Sequence, residues 1–207
     1  MKLPYEIKTI DDFKEVSNVI NKSNFISQVW PVFTEIQVKE YLVNAKKKYY
    51  DASHHCYAFK LADGSIRYSD AGEPNGTAGI RILNAIEHFN LSNQLVIISR
   101  VFGGVKLGVG PLGKAYYESA YKLISESEIR TKQLFQKAII SATYENINII
   151  HRILANHSSL IIDTNYPEPI KLICLLKSNE IDSISKKITG LGKSNISIVF
   201  IDETVYK

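Results

Sequence analysis

Ser69-Asp-Ala-Gly-Glu-Pro-Asn-Gly-Thr-Ala-Gly79 and Arg100-Val-Phe-Gly-Gly-Val-Lys-Leu-Gly-Val-Gly-Pro-Leu-Gly-Lys114 are the two stretches on which the reading of this chain turns. Eight of its eleven glycines lie between Gly72 and Gly113, and glycine is costly in chain entropy, so the clustering needs a physical reason. Three reasons are usual: positive φ, close backbone packing, or a loop whose N–H groups hold an anion. Between the blocks lie a helix-like segment and the strand-like run Leu95-Val-Ile-Ile-Ser99. Each block therefore sits where a strand ends and a helix begins, a common place for binding in α/β and α+β folds.

On the N-terminal side, Tyr5 to Val32 reads as strands, with Asn21-Lys-Ser-Asn24 as a hairpin turn. Thr34 is a good N-cap for a helix through Ile36, Val38, Tyr41, Leu42 and Ala45. That helix ends in Lys46-Lys-Lys48, which complements the carbonyl end of its dipole and reads as a solvated terminus. A strand Tyr57 to Leu61, a turn at Ala62-Asp-Gly64 and a returning strand Ile66 to Ser69 follow. Thr77 or the residue before it is expected to cap a helix through Ala78, Ile82, Leu83, Ile86 and Phe89. A further helix is expected from about Pro111 through Leu112, Ala115, Tyr116, Ala120 and Leu123.

On the C-terminal side, Ser125 to Gln136 is polar and reads as a linker. After it come strand Ala138–Tyr144, helix Ile147–Ala155, strand Ser159–Asn165, strand Ile170–Lys177, helix Ile181–Thr189 and strand Ile196–Val205. Tyr166-Pro-Glu-Pro169 forms the hairpin loop, and Gly190-Leu-Gly192 stops the second helix. This βαββαβ order is the ferredoxin-like pattern. The expected domains are therefore residues 1–130 and 137–207, and the fold class is α+β.

The 207 residues suffice for two modest domains, and 45% are hydrophobic, enough for real cores. The net charge of +4 is spread over both halves, +3 before Phe135 and +1 after it. That surplus alone does not mark a nucleic-acid-binding chain; clustering of the charges would have to. The two cysteines, Cys56 and Cys174, are far apart in sequence, which suits a reducing compartment rather than a disulfide framework. No run approaches 18 apolar residues and Met1-Lys-Leu-Pro-Tyr-Glu does not read as a signal peptide, so a cytoplasmic protein without a membrane partner is expected.

Each candidate chemistry has a plain alternative. Gly108-Val-Gly-Pro-Leu-Gly-Lys114 satisfies most of a phosphate-binding P-loop, but Ala115 stands where Ser or Thr would hold magnesium, and Pro111 removes one N–H. What survives is a weaker inference, that N–H groups, Lys106, Lys114 and a helix start could hold a phosphate or carboxylate. His54-His55-Cys56 suggests a metal, yet neighbours on a strand point to opposite faces, and no further ligand pattern is present. Asp70 and Glu73 could act as an acid/base pair beside His55 and Thr77. Carboxylates beside glycine-rich turns more often accept backbone N–H bonds and fix the loop.

Four blocks in order carry a resemblance: Lys22-Ser-Asn-Phe-Ile26, Ala52-Ser-His-His-Cys-Tyr-Ala58, Ser69 to Gly79, and Arg100 to Tyr116. Over about residues 20 to 120 the chain resembles the IMPACT family, and the tail after Gln136 resembles the small C-terminal domain of its bacterial members. Three departures from the family pattern stand out: Ala71 for a usual aspartate, Arg81 for proline, and Lys114 for arginine, which keeps the charge but loses the planar fork. The resemblance implies a first domain similar to the second domain of small-subunit ribosomal protein five. It implies a second similar to the ferredoxin-like terminal domain of elongation factor G. It also implies a link to translational control, and it carries over no established catalytic activity.

The leading expectation is a non-enzymatic regulator that binds RNA or a translation-associated protein. Arg100, Lys106 and Lys114 are expected around one concavity, with Gly103, Gly104, Gly108 and Gly110 in the binding loop. His55, Asp70, Glu73 and Thr77 are expected to shape the adjoining loop. In the plain alternative, Arg100 pairs with Asp70 or Glu73 as a structural bridge. The rival class is an enzyme acting on a small anionic ligand at the same loops. No catalytic residue, metal or cofactor is assigned.

Overall fold

The computed structural model describes residues 2–191 and 195–207; Met1 and Gly192, both used in the sequence reading, lie outside them. Two compact units are present, one built mainly of Ile7–Thr131 and the other of Pro4–Glu6 with Lys132–Lys207. The elements in order are β1 (Glu6–Thr9), β2 (Lys14–Ile20), β3 (Ser23–Pro31), α1 (Glu35–Lys48), β4 (His54–Lys60), β5 (Ile66–Ser69), α2 (Gly79–His88), β6 (Gln94–Val101), α3 (Val109–Ser125), β7 (Arg130–Ala142), α4 (Tyr144–Asn156), β8 (Leu160–Asn165), β9 (Ile170–Lys177), α5 (Ile181–Thr189) and β10 (Ser197–Tyr206). The α+β class read from the sequence is the class observed.

In the first unit an antiparallel sheet runs β2-β3-β6-β4-β5. Central strand β6 is buried along nearly its whole length, as its unbroken apolar run requires. Val96 and Ile98 pack with Phe25, Cys56 and Ala58 beneath Ile82, Ile86, Tyr116 and Leu123 of α2 and α3. Leu95 and Ile97 pack with Phe59 against Val38 and Ala45 of α1. Helices thus cover both faces. Thr34 caps α1 as expected, and Gln37 completes a capping box by exchanging bonds with it. The β2–β3 turn is tighter than expected. Asn21 and Lys22 alone form it, with φ of 44° and 67°, while Ser23 and Asn24 already belong to β3.

The second unit has the βαββαβ order with sheet order β10-β7-β9-β8, the ferredoxin-like arrangement, and β1 also joins β7. Ile140, Leu172, Cys174 and Leu176 of the sheet pack against Ile150, Leu154, Ile184 and Ile188 of the helices. The linker expected over Ser125 to Gln136 is corrected: α3 runs to Ser125 and β7 begins at Arg130. Polar Gln133 and Gln136 gave no strand signal. They belong to a ladder with distant residues, Gln133 exchanging two backbone bonds with Lys207, and Gln136 pairing with Thr204. Backbone pairing of this kind leaves no local trace. Both cysteines are free and buried. Among the described residues no helix is long and apolar enough to cross a membrane.

Gly103 is fixed by close packing. A Cβ added there would lie 2.0 Å from the Lys22 carbonyl, whereas at Gly110 it would meet nothing within 4 Å. Gly103→Ala is expected to lower unfolding free energy by about 3 kcal/mol through forced backbone movement. Gly110→Ala is expected to change it by about 0.5–1 kcal/mol in the stabilising direction, as alanine favours the helix. Urea denaturation of both variants checks this, and matching midpoints would overturn it.

Candidate functional site

Strand parity decides which side chains meet. Arg100 follows Val96 and Ile98 on the β6 face covered by α2 and α3. In register, His54 of β4 lies opposite Arg100 on one side and Phe25 of β3 on the other. His55 falls on the α1 face, its Nδ1 2.8 Å from Ser99 Oγ. The expectation that His55 stands beside Glu73 is therefore corrected: one residue along a strand reverses the face, and His54 takes that place.

Arg100 is 5% exposed. Its Nη1 donates to Glu73 Oε1 at 2.7 Å and its Nη2 to Ser23 Oγ at 3.2 Å. Its guanidinium carbon lies 5.5 Å from the ring centroids of both Phe25 and Phe102. Arg100 Nε is buried with no hydrogen-bond partner among the described residues. Tyr116 Oη also donates to Glu73 Oε1, at 2.8 Å, and His54 Nε2 is 3.8 Å from Glu73 Oε2. His54 Nδ1 donates to the Ala71 carbonyl at 3.0 Å. Of the two readings of Arg100, the structure places it in the bridge to Glu73 rather than on an open surface.

Cys56 Sγ lies 2.9 Å from the Asp70 carbonyl and 3.3 Å from Tyr116 Oη. Burial pushes its thiol up to about 12, and burial raises the Tyr116 hydroxyl as well, so both keep their protons at neutral pH. Asp70 fastens the first glycine block. Its Oδ2 accepts from the N–H of Gly76 at 2.9 Å, and its Oδ1 from those of Ala78 and Gly79 at 2.8 Å. Burial opposes the charge on Asp70, but these backbone donors outweigh it and hold the carboxyl below its ordinary value. Thr77 is not the cap. Ala78 occupies that position without a side-chain bond, and Thr77 Oγ1 instead donates to the Pro74 carbonyl at 2.6 Å. Ala71 sits at φ 45°, a left-handed conformation that the family's usual aspartate tolerates better than alanine.

Two cavities flank the start of α3. One, of about 410 Å³, is lined by His54, Glu73, Arg100, Phe102 and Lys106, with Gly108 and Val109 at the helix start. The other, of about 390 Å³, is lined by Arg81, Asn84, Gly110, Gly113, Lys114 and Tyr117. The single concavity expected to hold Arg100, Lys106 and Lys114 is thus corrected. Residues 110, 113, 114 and 117 share one helix face, whereas 109 and 112 lie on another. Lys114 Nζ also lies 3.6 Å from Glu118 Oε1.

The expected binding glycines divide in the same way. Gly108 and Gly110 line the cavities, but Gly103 and Gly104 line neither, and the Gly103 N–H donates to Ser23 Oγ at 3.3 Å. α3 begins without a side-chain cap, and Val109 and Gly110 stand in its first turn, where N–H groups have no intrahelical acceptor. Four contributors went unassigned in the sequence reading. His54 was legible from parity with Cys56 and Ala58, and Arg81 from its departure from the family pattern. Phe102 and Tyr116 lay in the Arg100 to Tyr116 block, but nothing local tied either ring to Arg100 or Glu73.

The family model described as the Impact N-terminal domain matches residues 21–124. The chain is 30% identical over 192 residues to the IMPACT family member YvyE of Bacillus subtilis, covering 91% of this chain and 88% of that protein. It is 25% identical to the IMPACT family member YigZ of Escherichia coli, covering 89% and 92%. Protein IMPACT of Mus musculus is 37% identical over 94 residues, covering 42% of this chain and 29% of that protein. A solved crystal structure of a hypothetical protein resembles 97% of this chain and 100% of its own, with a TM-score of 0.68 and 23% identity, a likeness of fold.

Arg100→Ala strands the Glu73 carboxylate and is expected to lower stability by about 3–5 kcal/mol, while joint replacement by Arg100→Met and Glu73→Leu recovers at least half of that loss. Urea titration of the single and double variants tests the pairing; a double variant no better than the single one would contradict it. Asp70 makes a second test. Its pKa is lower folded than unfolded, so its contribution is complete above the unfolded value and lost as pH falls through the folded one. The stability gap between the wild type and Asp70→Asn should hold steady near neutrality and shrink below the ordinary aspartate value of 3.8. A gap independent of pH down to about 3 would refute the assignment.

Proposed function

The chain belongs to the IMPACT family, and on that premise we propose that it is a non-enzymatic regulator of translation that binds single-stranded RNA across the first turn of α3. One observation carries the reading: two neighbouring cavities, one bordered by Lys106 and the other by Arg81 and Lys114, share one uncapped helix start. A single small anion needs only one such recess. A chain of phosphates suits two, one beside Lys106 and the next beside Arg81 and Lys114, with helix N–H groups between them. Phe102 is 45% exposed beside Lys106 and offers a ring on which a base can stack. The tie to translation rests on the family resemblance.

The chemistry of the side chains favours binding over catalysis. Both oxygens of Asp70 are held by backbone N–H groups, and Glu73 Oε1 is held by Arg100 and Tyr116. The Cys56 thiol is protonated and buried, so it is a poor nucleophile.

Filter binding to a single-stranded RNA oligonucleotide at several salt concentrations tests the reading. Lys106→Ala and Lys114→Ala should each weaken binding and reduce the logarithmic salt slope by about 0.7. Phe102→Ala should cost about 1–3 kcal/mol of affinity and leave that slope unchanged. Lys47→Ala, on α1 across the sheet, should have no effect. Wild-type affinity in all three site variants would exclude RNA binding at α3.

A further inference from the structure

α1 is apolar on two sides. Val38, Tyr41, Leu42 and Ala45 pack under the sheet. Ile36 and Val43, seven residues apart, lie on the outer side, 69% and 50% exposed, and Tyr50, 87% exposed, follows the non-helical Tyr49 beyond the helix end. Phe33, 59% exposed, lies just before the N-cap residue Thr34, outside the helix. Exposed Lys39, Lys46 and Lys47 border this row together with one carboxylate, Glu40, and these lysines make no ion pair among the described residues. The neighbouring charges differ: Glu35 is paired with Arg67 at 3.1 Å, and Lys48 with Glu15 at 2.8 Å.

From this pattern we infer that the outer face of α1 docks an acidic amphipathic helix of a partner protein. Residues seven apart form a stripe one side chain wide, the seam along which a second helix packs. Apolar side chains so exposed gain by burial, and the bordering lysines supply the charge that a row of Asp or Glu on the partner would meet. A second copy of this chain fits less well. In an antiparallel pair centred on Val43, Lys39 would face Lys47 while Glu40 would face Lys46, so repulsion offsets attraction, and in a parallel pair each lysine would lie beside its own counterpart. A membrane surface also fits less well, because interfacial helices bury a broad apolar face, and here Glu40 and Asn44 stand beside the single row. The stripe lies on the sheet face opposite the α3 cavities, so a bound helix leaves them open.

Fluorescence anisotropy on the full chain tests this with two labelled synthetic helical peptides. One carries leucine along its seam with glutamate beside it; the other has lysine in place of every glutamate. The acidic peptide should bind, the basic one should not, and Val43→Glu and Lys47→Glu should each weaken binding by about ten-fold or more. Both side chains are exposed, so the thermal midpoint and RNA affinity of these variants should match wild type. Failure of the acidic peptide to bind, equal binding of the two peptides, or insensitivity to both substitutions overturns the inference. So does sedimentation as a dimer that Val43→Glu dissociates, which assigns the face to a second copy. Binding to phosphatidylglycerol vesicles that the same substitution abolishes would assign it to a membrane and equally overturn it.

Discussion

The ion pair between Arg100 and Glu73 sets the conditions that the rest of the first unit meets. Their side chains are only 6% and 4% exposed, and two charges taken out of water are tolerated only with close geometry and further hydrogen bonds. Tyr116 from α3 and Ser23 from β3 supply those bonds, and the rings of Phe25 and Phe102 flank the guanidinium. Glu73 reaches Arg100 because the loop before α2 turns back beneath itself. Ala71, Gly72 and Gly76 take φ of 45°, 90° and 76° there, and the Asp70 carboxylate ties the returning N–H groups. Both glycine blocks thus serve one buried pair: the first folds Glu73 inward, and the second carries the chain from Arg100 to the helix that holds Tyr116.

The same sheet separates two surfaces of different chemistry. The face under α2 and α3 carries the charged network and opens into cavities lined by backbone and cations. The other face is closed by α1, whose inner side completes a small apolar core while its outer side leaves Ile36, Val43 and Tyr50 in solvent. The two surfaces do not overlap, and strand parity is what keeps them apart. Successive residues of one strand serve opposite faces, as His54 and His55 do.

Much of the architecture was legible in the chain. The apolar run of β6, the Thr34 N-cap, and the βαββαβ order after residue 137 are local patterns, and each appears in the structure as an element of the expected type. Parts of the site were legible for the same reason, since Asp70 and Glu73 beside glycines pointed to a loop fixed by carboxylates. The errors share a cause as well. Thr77 had the right chemistry for a cap, but Asp70, several residues earlier, reached the N–H groups of Ala78 and Gly79 at the helix start with a full charge. Gln133 and Gln136 had the composition of a linker, but a distant strand offered them a ladder.

Sequence alone therefore determined most of the helices and strands, most of the turns, and which residues are candidates for a site. Those properties depend on periods of two or about 3.6 residues and on the φ freedom of glycine, all of which act over a few positions. Tertiary structure alone decided that Arg100 is buried with Glu73, that His54 rather than His55 meets them, and that α3 parts the cations into two cavities. These follow from register between strands and from the rotation of a helix against a sheet, which bring together residues far apart in the chain and so leave no short-range mark in it.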